Sequence, residues 1–380
     1  MRFDTRAIHE AQPPDPTTGA VNAPIHLSST FAQRAPGHDR GFVYGRSGNP
    51  TRQTLERVLA SLEGGRVGLA FSSGLGAFAT LLEAFGSGQR VIAGDDLYGG
   101  SWRLFEHHRK QFGLDVDYVD LTSTAELRRA LGERRTALVY FETPTNPLMR
   151  VSDIRAVSAA AHRAKALVAV DNTFASPALQ QPLALGADVV LHSTTKYLGG
   201  HSDVIGGALV ARSRSLGERL KWLQNAVGAV PSPFDCFLVL RGIHTLGLRM
   251  RAHGASARAV VAELKRSGKV RSTHYPGDPS HPQFRLARRQ MSGFGGMLSA
   301  DLGTERRADR FVRGLRVFTL AESLGGVESL VDHPASMTHA SVPAEVRRRH
   351  GVTDGLVRFS CGIEDPIDLA EDVRQALRGA

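Results

Sequence analysis

Two stretches of the chain place reactive side chains at the ends of apolar runs. Leu167-Val168-Ala169-Val170 leads into Asp171-Asn172-Thr173, and Val189-Val190-Leu191-His192 leads into Ser193-Thr194-Thr195-Lys196. A carboxylate and an amine therefore close two strand-like runs 25 residues apart. The chain has only six lysines. Lys110, Lys165, Lys221, Lys265 and Lys269 stand among polar or charged helical neighbours, where an exposed head group explains them. Lys196 instead follows a buried-strand pattern and precedes Tyr197-Leu198-Gly199-Gly200. Desolvation penalises an ammonium and lowers its pKa, and the neutral amine is a nucleophile that forms Schiff bases with carbonyls. A lysine that caps the strand end or pairs with Asp188 would give the same local pattern, so both readings stand on these residues alone.

Asp171 adds a demand of its own. Pyridoxal phosphate withdraws electrons only while its ring nitrogen is protonated, and a carboxylate beside that nitrogen stabilises the cation. Asp at a strand end also commonly caps the following turn. Ser72-Ser73-Gly74-Leu75 follows the run Val67–Phe71 and opens a helix, so its amides can face an anionic phosphate. No Gly-Lys-Ser/Thr follows, so it is not a P-loop. Ser193 and Thr195 add hydroxyl donors. Tyr98, in Leu97-Tyr98-Gly99-Gly100, is either a ring that stacks on a flat ligand or an ordinary half-buried tyrosine. Arg358, in Val357-Arg358-Phe359-Ser360, is either a fork for a carboxylate or a residue on the exposed face of a strand.

These groups need elements to position them. Apolar runs at 67–71, 90–93, 116–119, 137–141, 166–170, 189–192 and 205–210 alternate with helix-length segments such as 75–85, 102–112 and 154–163. The alternation predicts an α/β fold with a mostly parallel central sheet covered on both faces and ligands beyond the carboxyl ends of its strands. Pro50-Thr51 opens a helix that runs to Glu63 and stops at Gly64-Gly65. Residues 1–45 hold Pro13, Pro14, Pro16 and Pro24 with little periodicity and read as an extended arm that needs another surface to lie on, such as a neighbouring subunit. Residues 46–245 form the ligand-binding domain. A long helical segment over about 234–266 hinges into a smaller C-terminal α+β domain, residues 246–380, with strands expected at 270–275, 297–302, 317–319 and 356–360.

Composition narrows the classes. The 380 residues are 42% hydrophobic and 22% charged, as in a globular enzyme, and the 40 glycines show no three-residue period. Two cysteines, Cys236 and Cys361, cannot build a disulfide framework or a structural zinc site and read as small core residues; no metal is expected. So few cysteines make a cytoplasmic protein the expectation, and no apolar stretch approaches the roughly 20 residues that span a bilayer, so no membrane contact is expected. The net charge, 47 − 37 = +10, raises a nucleic-acid partner. However, the basic residues are scattered, and the runs Arg347-Arg348-Arg349 and Arg306-Arg307 read as solvated helix faces, so no nucleic acid is expected.

Together the segments resemble the cystathionine γ-lyase and γ-synthase group, pyridoxal-phosphate enzymes of cysteine and methionine metabolism. The likeness runs from Thr5-Arg6-Ala7-Ile8-His9 to the C-terminal helix. It is carried by Ser47-Gly48-Asn49-Pro50-Thr51-Arg52, Phe71-Ser72-Ser73-Gly74, Glu142-Thr143-Pro144-Thr145-Asn146-Pro147, the stretch from Val170 to Pro177, His192-Ser193-Thr194-Thr195-Lys196-Tyr197, Gln290 to Met297, and Leu320 to Leu330. It implies a fold-type I pyridoxal-phosphate transferase with Lys196 carrying the Schiff base and Asp171 paired with the ring nitrogen. The Gly74 and Leu75 amides with Ser193 and Thr195 would hold the phosphate. Tyr98 would stack on the ring and serve as proton donor, and Arg358 with Ser323 would bind the substrate carboxylate. Tyr44 and Arg46 match residues that reach the active site of the neighbouring subunit, which implies shared sites in a homotetramer, a dimer of dimers.

Glu322 discriminates within the group. The resemblance implies an acid there in γ-lyases and γ-synthases, where it can bind the distal amino group of cystathionine, and its absence in β-lyases and methionine γ-lyases. Gly100 stands where methionine γ-lyases carry Cys. The stretches from Gly228 to Cys236 and from Ala340-Ser341-Val342-Pro343 to Asp354 look more like γ-lyases. The expected activity is γ-elimination of L-cystathionine to L-cysteine, 2-oxobutyrate and ammonia. The alternative is γ-synthase chemistry on an O-acylhomoserine, alone or alongside elimination. A catalytically silent relative that binds the cofactor is a third reading, opposed by Lys196, Asp171, Tyr98 and Arg358. Trp102, beside the Tyr98 turn, departs from the group and is expected to bear on the substrate pocket.

Overall fold

The computed structural model describes residues 1–340 and 342–380; Ser341, within the Ala340–Pro343 stretch singled out above, lies outside the described residues. The apolar runs form a seven-stranded sheet: β1 (Val67–Phe71), β2 (Arg90–Gly94), β3 (Asp115–Val119), β4 (Leu138–Glu142), β5 (Leu167–Asp171), β6 (Val189–Ser193) and β7 (Gly207–Ala211). Their order is β1-β7-β6-β5-β4-β2-β3, and only β7 runs antiparallel to its neighbours. β2 and β4 are buried along their whole length, with Arg90 and Glu142 at their ends, as their apolar stretches 91–93 and 138–141 require when helices cover both faces. Parallel pairing brings the ends of β4, β5 and β6 to one edge, with Glu142 opposite Asp171 and Asp171 opposite Leu191.

A second sheet carries β8 (Ser272–His274), β9 (Met297–Asp301), β10 (Thr319–Leu320), β11 (Leu330–Asp332) and β12 (Leu356–Ser360), in the order β10-β11-β12-β9-β8. It packs through Leu298, Val357 and Phe359 on the helices Leu246–Arg266 and Pro366–Gly379. Among the described residues no helix is long and apolar enough to cross a membrane.

Helix signals act locally where they were read. Asn49 accepts the Arg52 amide at 3.1 Å to start the helix Pro50–Glu63, and Gly64 ends it at φ +73°. Three expectations are corrected. The arm is not wholly extended: Phe3–His9 is helical, with Ala7 buried against the helix Pro50–Glu63. The long helix breaks at Thr245 into Pro233–His244 and Leu246–Arg266. Arg249 from the second helix donates to the Gly242 carbonyl at 2.6 Å and to the Tyr197 carbonyl at 2.7 Å, capping the end of the first and tying both to the Lys196 turn. Residues 317–318 do not pair as a strand, because the Arg316, Val317 and Phe318 amides all donate to the Asp372 carboxylate; pairing starts at Thr319.

Candidate active site

The carboxyl ends of β4, β5 and β6 open into a cavity of about 770 Å³, the size of a pocket for a cofactor and a small substrate. It is lined by Gly74, Leu75, Tyr98, Asp171, Ser193, Thr195, Lys196, Glu322, Ser323 and Arg358. The fold thus gathers ten of the twelve singled-out residues around one space.

Lys196 follows β6 in a tight turn and points its Nζ at Ser323 Oγ, 2.7 Å away. It is not paired with Asp188, whose carboxylate holds His162 and Arg212. Burial, helped by the Arg358 charge and opposed by Glu322, brings the amine from 10.5 down to about 8. Ser323 adopts φ +99° and its neighbour Gly325 φ +76°. A Cβ at Gly325 would lie 2.7 Å from the Tyr197 amide nitrogen, so this loop can close on the lysine turn only with glycine there.

Asp171 ends β5, and its Oδ1 accepts the Thr173 amide at 2.9 Å, so it also caps the turn. Burial raises its pKa, while Thr173 and His192 pull it down. The helix Gly74–Leu82 starts at Ser73, whose Oγ takes the Gly76 amide at 2.9 Å. The first amides of a helix have no partner within it, so those of Gly74 and Leu75 are left for a ligand. Ser193 packs against Gly74, where a Cβ would come within 3.0 Å of the serine Cβ. The Thr195 hydroxyl is engaged with the Gly206 backbone, accepting its amide at 3.0 Å.

Tyr98 is 37% exposed at the cavity wall. Burial of the remainder raises its phenol pKa, so the hydroxyl keeps its proton at neutral pH. Arg358 is 2% exposed, which removes the reading that puts it on an outer strand face. Its guanidinium donates to Asn146 Oδ1 at 2.9 Å and to the Ser323 carbonyl at 3.1 Å, and pairs with Asp332 Oδ2 at 3.0 Å. Nε is buried without a partner. Glu322 is exposed at the mouth of the cavity.

Tyr44 and Arg46 do not line the cavity of their own chain. Tyr44 is 47% exposed, and Arg46 donates to the Asn225 carbonyl at 2.6 Å. Trp102 is corrected as well: it lines a separate groove with Tyr118 and His350, one helical turn beyond Tyr98, and not the cavity. Arg347 and Arg348 of the densest basic run pair with Asp354. Among the described residues no three His, Cys, Asp or Glu side chains are placed to hold a metal ion.

Sequence reasoning missed Glu142, Asn146 and Asp332. Glu142 closes the run 137–141 as Asp171 closes its own, so the rule that picked Asp171 applies to it. Asn146 and Asp332 carry no local signal, because their role is to hold Arg358 from 212 and 26 residues away.

This donor set fits pyridoxal phosphate: free helix amides with Ser193 suit a phosphate, a buried carboxylate suits a ring cation, and a desolvated amine suits an aldehyde. The comparisons agree. The family model described as Cys/Met metabolism PLP-dependent enzyme matches residues 4–378. A cystathionine beta-lyase of Lactococcus lactis subsp. cremoris (strain MG1363) is 50% identical over 373 residues, covering 98% of each chain. A cystathionine gamma-lyase of Bacillus subtilis (strain 168) is 48% identical over 377 residues, covering 99% of each. The crystal structure of cystathionine gamma synthase from Xanthomonas oryzae pv. oryzae in complex with aminoacrylate and cysteine is 49% identical, with a TM-score of 0.97 over 100% of this chain and 98% of that one.

Proposed function

The chain belongs to the Cys/Met metabolism PLP-dependent enzymes, and from that premise we propose that it is a cystathionine γ-lyase. The relatives carry three activities at nearly equal identity, so the reading rests on the site. The observation that carries it is the spacing of charge along one cavity: the Arg358 guanidinium lies deep beside Lys196, and the Glu322 carboxylate stands at the mouth. That pattern suits a substrate with a carboxylate at the reacting end and an ammonium at the distal end, as cystathionine has.

When bound, pyridoxal phosphate supplies an electron sink for charge that develops on the substrate carbons. The Gly74 and Leu75 amides with Ser193 would hold its phosphate, joined by Thr195 once its hydroxyl turns from the Gly206 carbonyl, and Asp171 would keep the proton on its ring nitrogen. Arg358 donates to Asn146 and Ser323 and pairs with Asp332, which hold its guanidinium in place to offer the substrate carboxylate its charge and a remaining terminal N–H. Lys196, at about 8, is poised to take the α proton near neutral pH, and Ser323 Oγ aims its Nζ. Tyr98, protonated at neutral pH, gives the departing sulfur its proton. Cystathionine and water then yield cysteine, 2-oxobutyrate and ammonia. The γ-synthase reading uses the same groups, with the cysteine thiol forming the bond to the γ carbon as the carboxylate of the acyl ester leaves, and it is the activity named for the Xanthomonas oryzae structure.

The test is to incubate cofactor-loaded protein with L-cystathionine and identify the keto acid. 2-Oxobutyrate with cysteine is expected. Pyruvate with homocysteine would mean β-elimination and would end the γ-lyase reading. Neither product would transfer the proposal to an O-acylhomoserine with cysteine.

The proposal includes an N-terminal arm, residues 1–45, that leads Tyr44 and Arg46 to the phosphate of a neighbouring subunit in a dimer of dimers, beside a cofactor domain at 46–245 and a C-terminal domain at 246–380. Supporting it are the exposure of Tyr44 and the fact that it does not line its own cavity. Arg46→Ala should lose cofactor faster on dialysis than the parent protein; equal retention would remove the arm from the site.

A further inference from the structure

Glu142 is a buried acid that the mechanism above does not use. It ends β4 and lies in register with Asp171 on β5. Adjacent strands are about 4.8 Å apart, and register partners point to the same face. Two carboxyls therefore share one patch of the cavity floor. The groups facing Glu142 are Asp171 from β5, Asp96 from the turn after β2, Tyr98 and Ser101 from the start of the helix Gly99–Phe112, and the buried Tyr140 phenol from β4 itself, which faces Asp171 as well. Two of these are carboxylic acids and none is a cation; His192 on β6 acts on Asp171.

Its hydrogen bonds define a second task. Glu142 Oε1 accepts the Tyr98 amide at 2.9 Å and the Ser101 hydroxyl at 3.1 Å. The helix that follows Tyr98 has no side-chain cap of its own, so this acid from the sheet anchors its start. A helix start attracts negative charge only modestly. Taking a carboxylate out of water without a cation beside it costs more, and a second carboxylate next to it adds to that cost. The cost exceeds the attraction, so one of the two acids keeps its proton. Asp171 has the stronger support for its charge, from Thr173 and His192. Burial first, and then the Asp171 charge, push Glu142 well above the carboxylate range.

We infer that Glu142 is a positioning residue that works as a neutral carboxylic acid, tying the Tyr98 turn to β4 and leaving Asp171 as the one negative charge beneath the cofactor. The inference rests on the roles proposed for Asp171 and Tyr98.

The first test is infrared difference spectroscopy of cofactor-loaded protein against Glu142→Gln at neutral pH. The parent should show the C=O stretch of a protonated carboxyl, sensitive to deuterium exchange and missing from the variant. A carboxylate stretch in its place would overturn the inference. The second test compares kcat on whichever substrate the product assay identifies. Glu142→Leu removes the acceptor for Tyr98 and should lower kcat on the order of a hundredfold, the cost of about 1 Å of misplacement. Glu142→Gln keeps a neutral acceptor and should restore most of that loss; equal losses in both variants would refute the tether. If the leucine variant does not fold, the infrared result decides alone. A protein that cleaves no cystathionine would end the γ-lyase reading and leave the infrared result untouched, so the two failures are distinguishable.

Discussion

Lys196→Ala should abolish the visible absorbance of the protein-bound cofactor and lower turnover by at least roughly 10³-fold. Two roles are lost together, the covalent hold on the cofactor aldehyde and the base for the α proton. None of the other five lysines lines the cavity, so no other amine replaces it. The amine's surroundings also set a pH dependence. The neutral form is the nucleophile, and it grows as pH rises through the pKa. An unperturbed lysine at 10.5 is almost wholly protonated at neutral pH. At about 8 the neutral fraction near pH 7 is larger by roughly 200–300-fold. Cofactor uptake by the apoprotein, followed by absorbance, should therefore speed up with pH and level off above about 8. An uptake rate still climbing steeply at pH values well beyond that would show that burial does not tune this amine. An alanine variant with full turnover would refute the assignment of Lys196.

Arg358→Leu should both destabilise the protein and disable substrate binding. The guanidinium and Asp332 are each 2% exposed or less, and Thr338 is the other polar partner of the Asp332 carboxylate. Removing one partner of a buried pair leaves an uncompensated charge, at a cost of about 3–5 kcal/mol. Thermal or denaturant unfolding should report it. Binding suffers separately. Losing a buried, charge-assisted contact to the substrate carboxylate costs about 2–5 kcal/mol, a fall in kcat/KM of roughly 30- to 5000-fold, carried mainly by KM. Arg358→Lys separates the effects. Its ammonium still faces Asp332 and should recover much of the stability, but it lacks the planar fork and should not recover KM. A leucine variant with normal KM would show that the carboxylate binds elsewhere.

Much of the core was legible because its signals are local. β4 and β6 open with apolar runs, 138–141 and 189–191, as strands covered on both faces must, and Gly64 ends a helix by adopting a conformation that other residues resist. Lys196 was legible from scarcity, one of six lysines and the one set among apolar and hydroxyl neighbours. The break at Thr245 was not, because its cause is an Arg249 side chain folded back onto Gly242 and across to Tyr197. Residues 317–319 read as a strand, yet the amides of Arg316, Val317 and Phe318 go to Asp372, more than fifty residues away in sequence.

The residue types and their order along the chain, by themselves, determined the α/β class and, through the motifs shared with the family, the cofactor; they named Lys196, Asp171 and Arg358 as candidates but left a second reading open for each, since their immediate neighbours suit both. Only the tertiary structure decided which face Arg358 takes, that Trp102 lies outside the cavity, and that Glu142 and Asp171 share one buried patch. Period-two alternation places a residue on one of two faces without saying which is inside. That choice, and the charge each buried group must tolerate, comes from strands and loops brought together from distant parts of the chain.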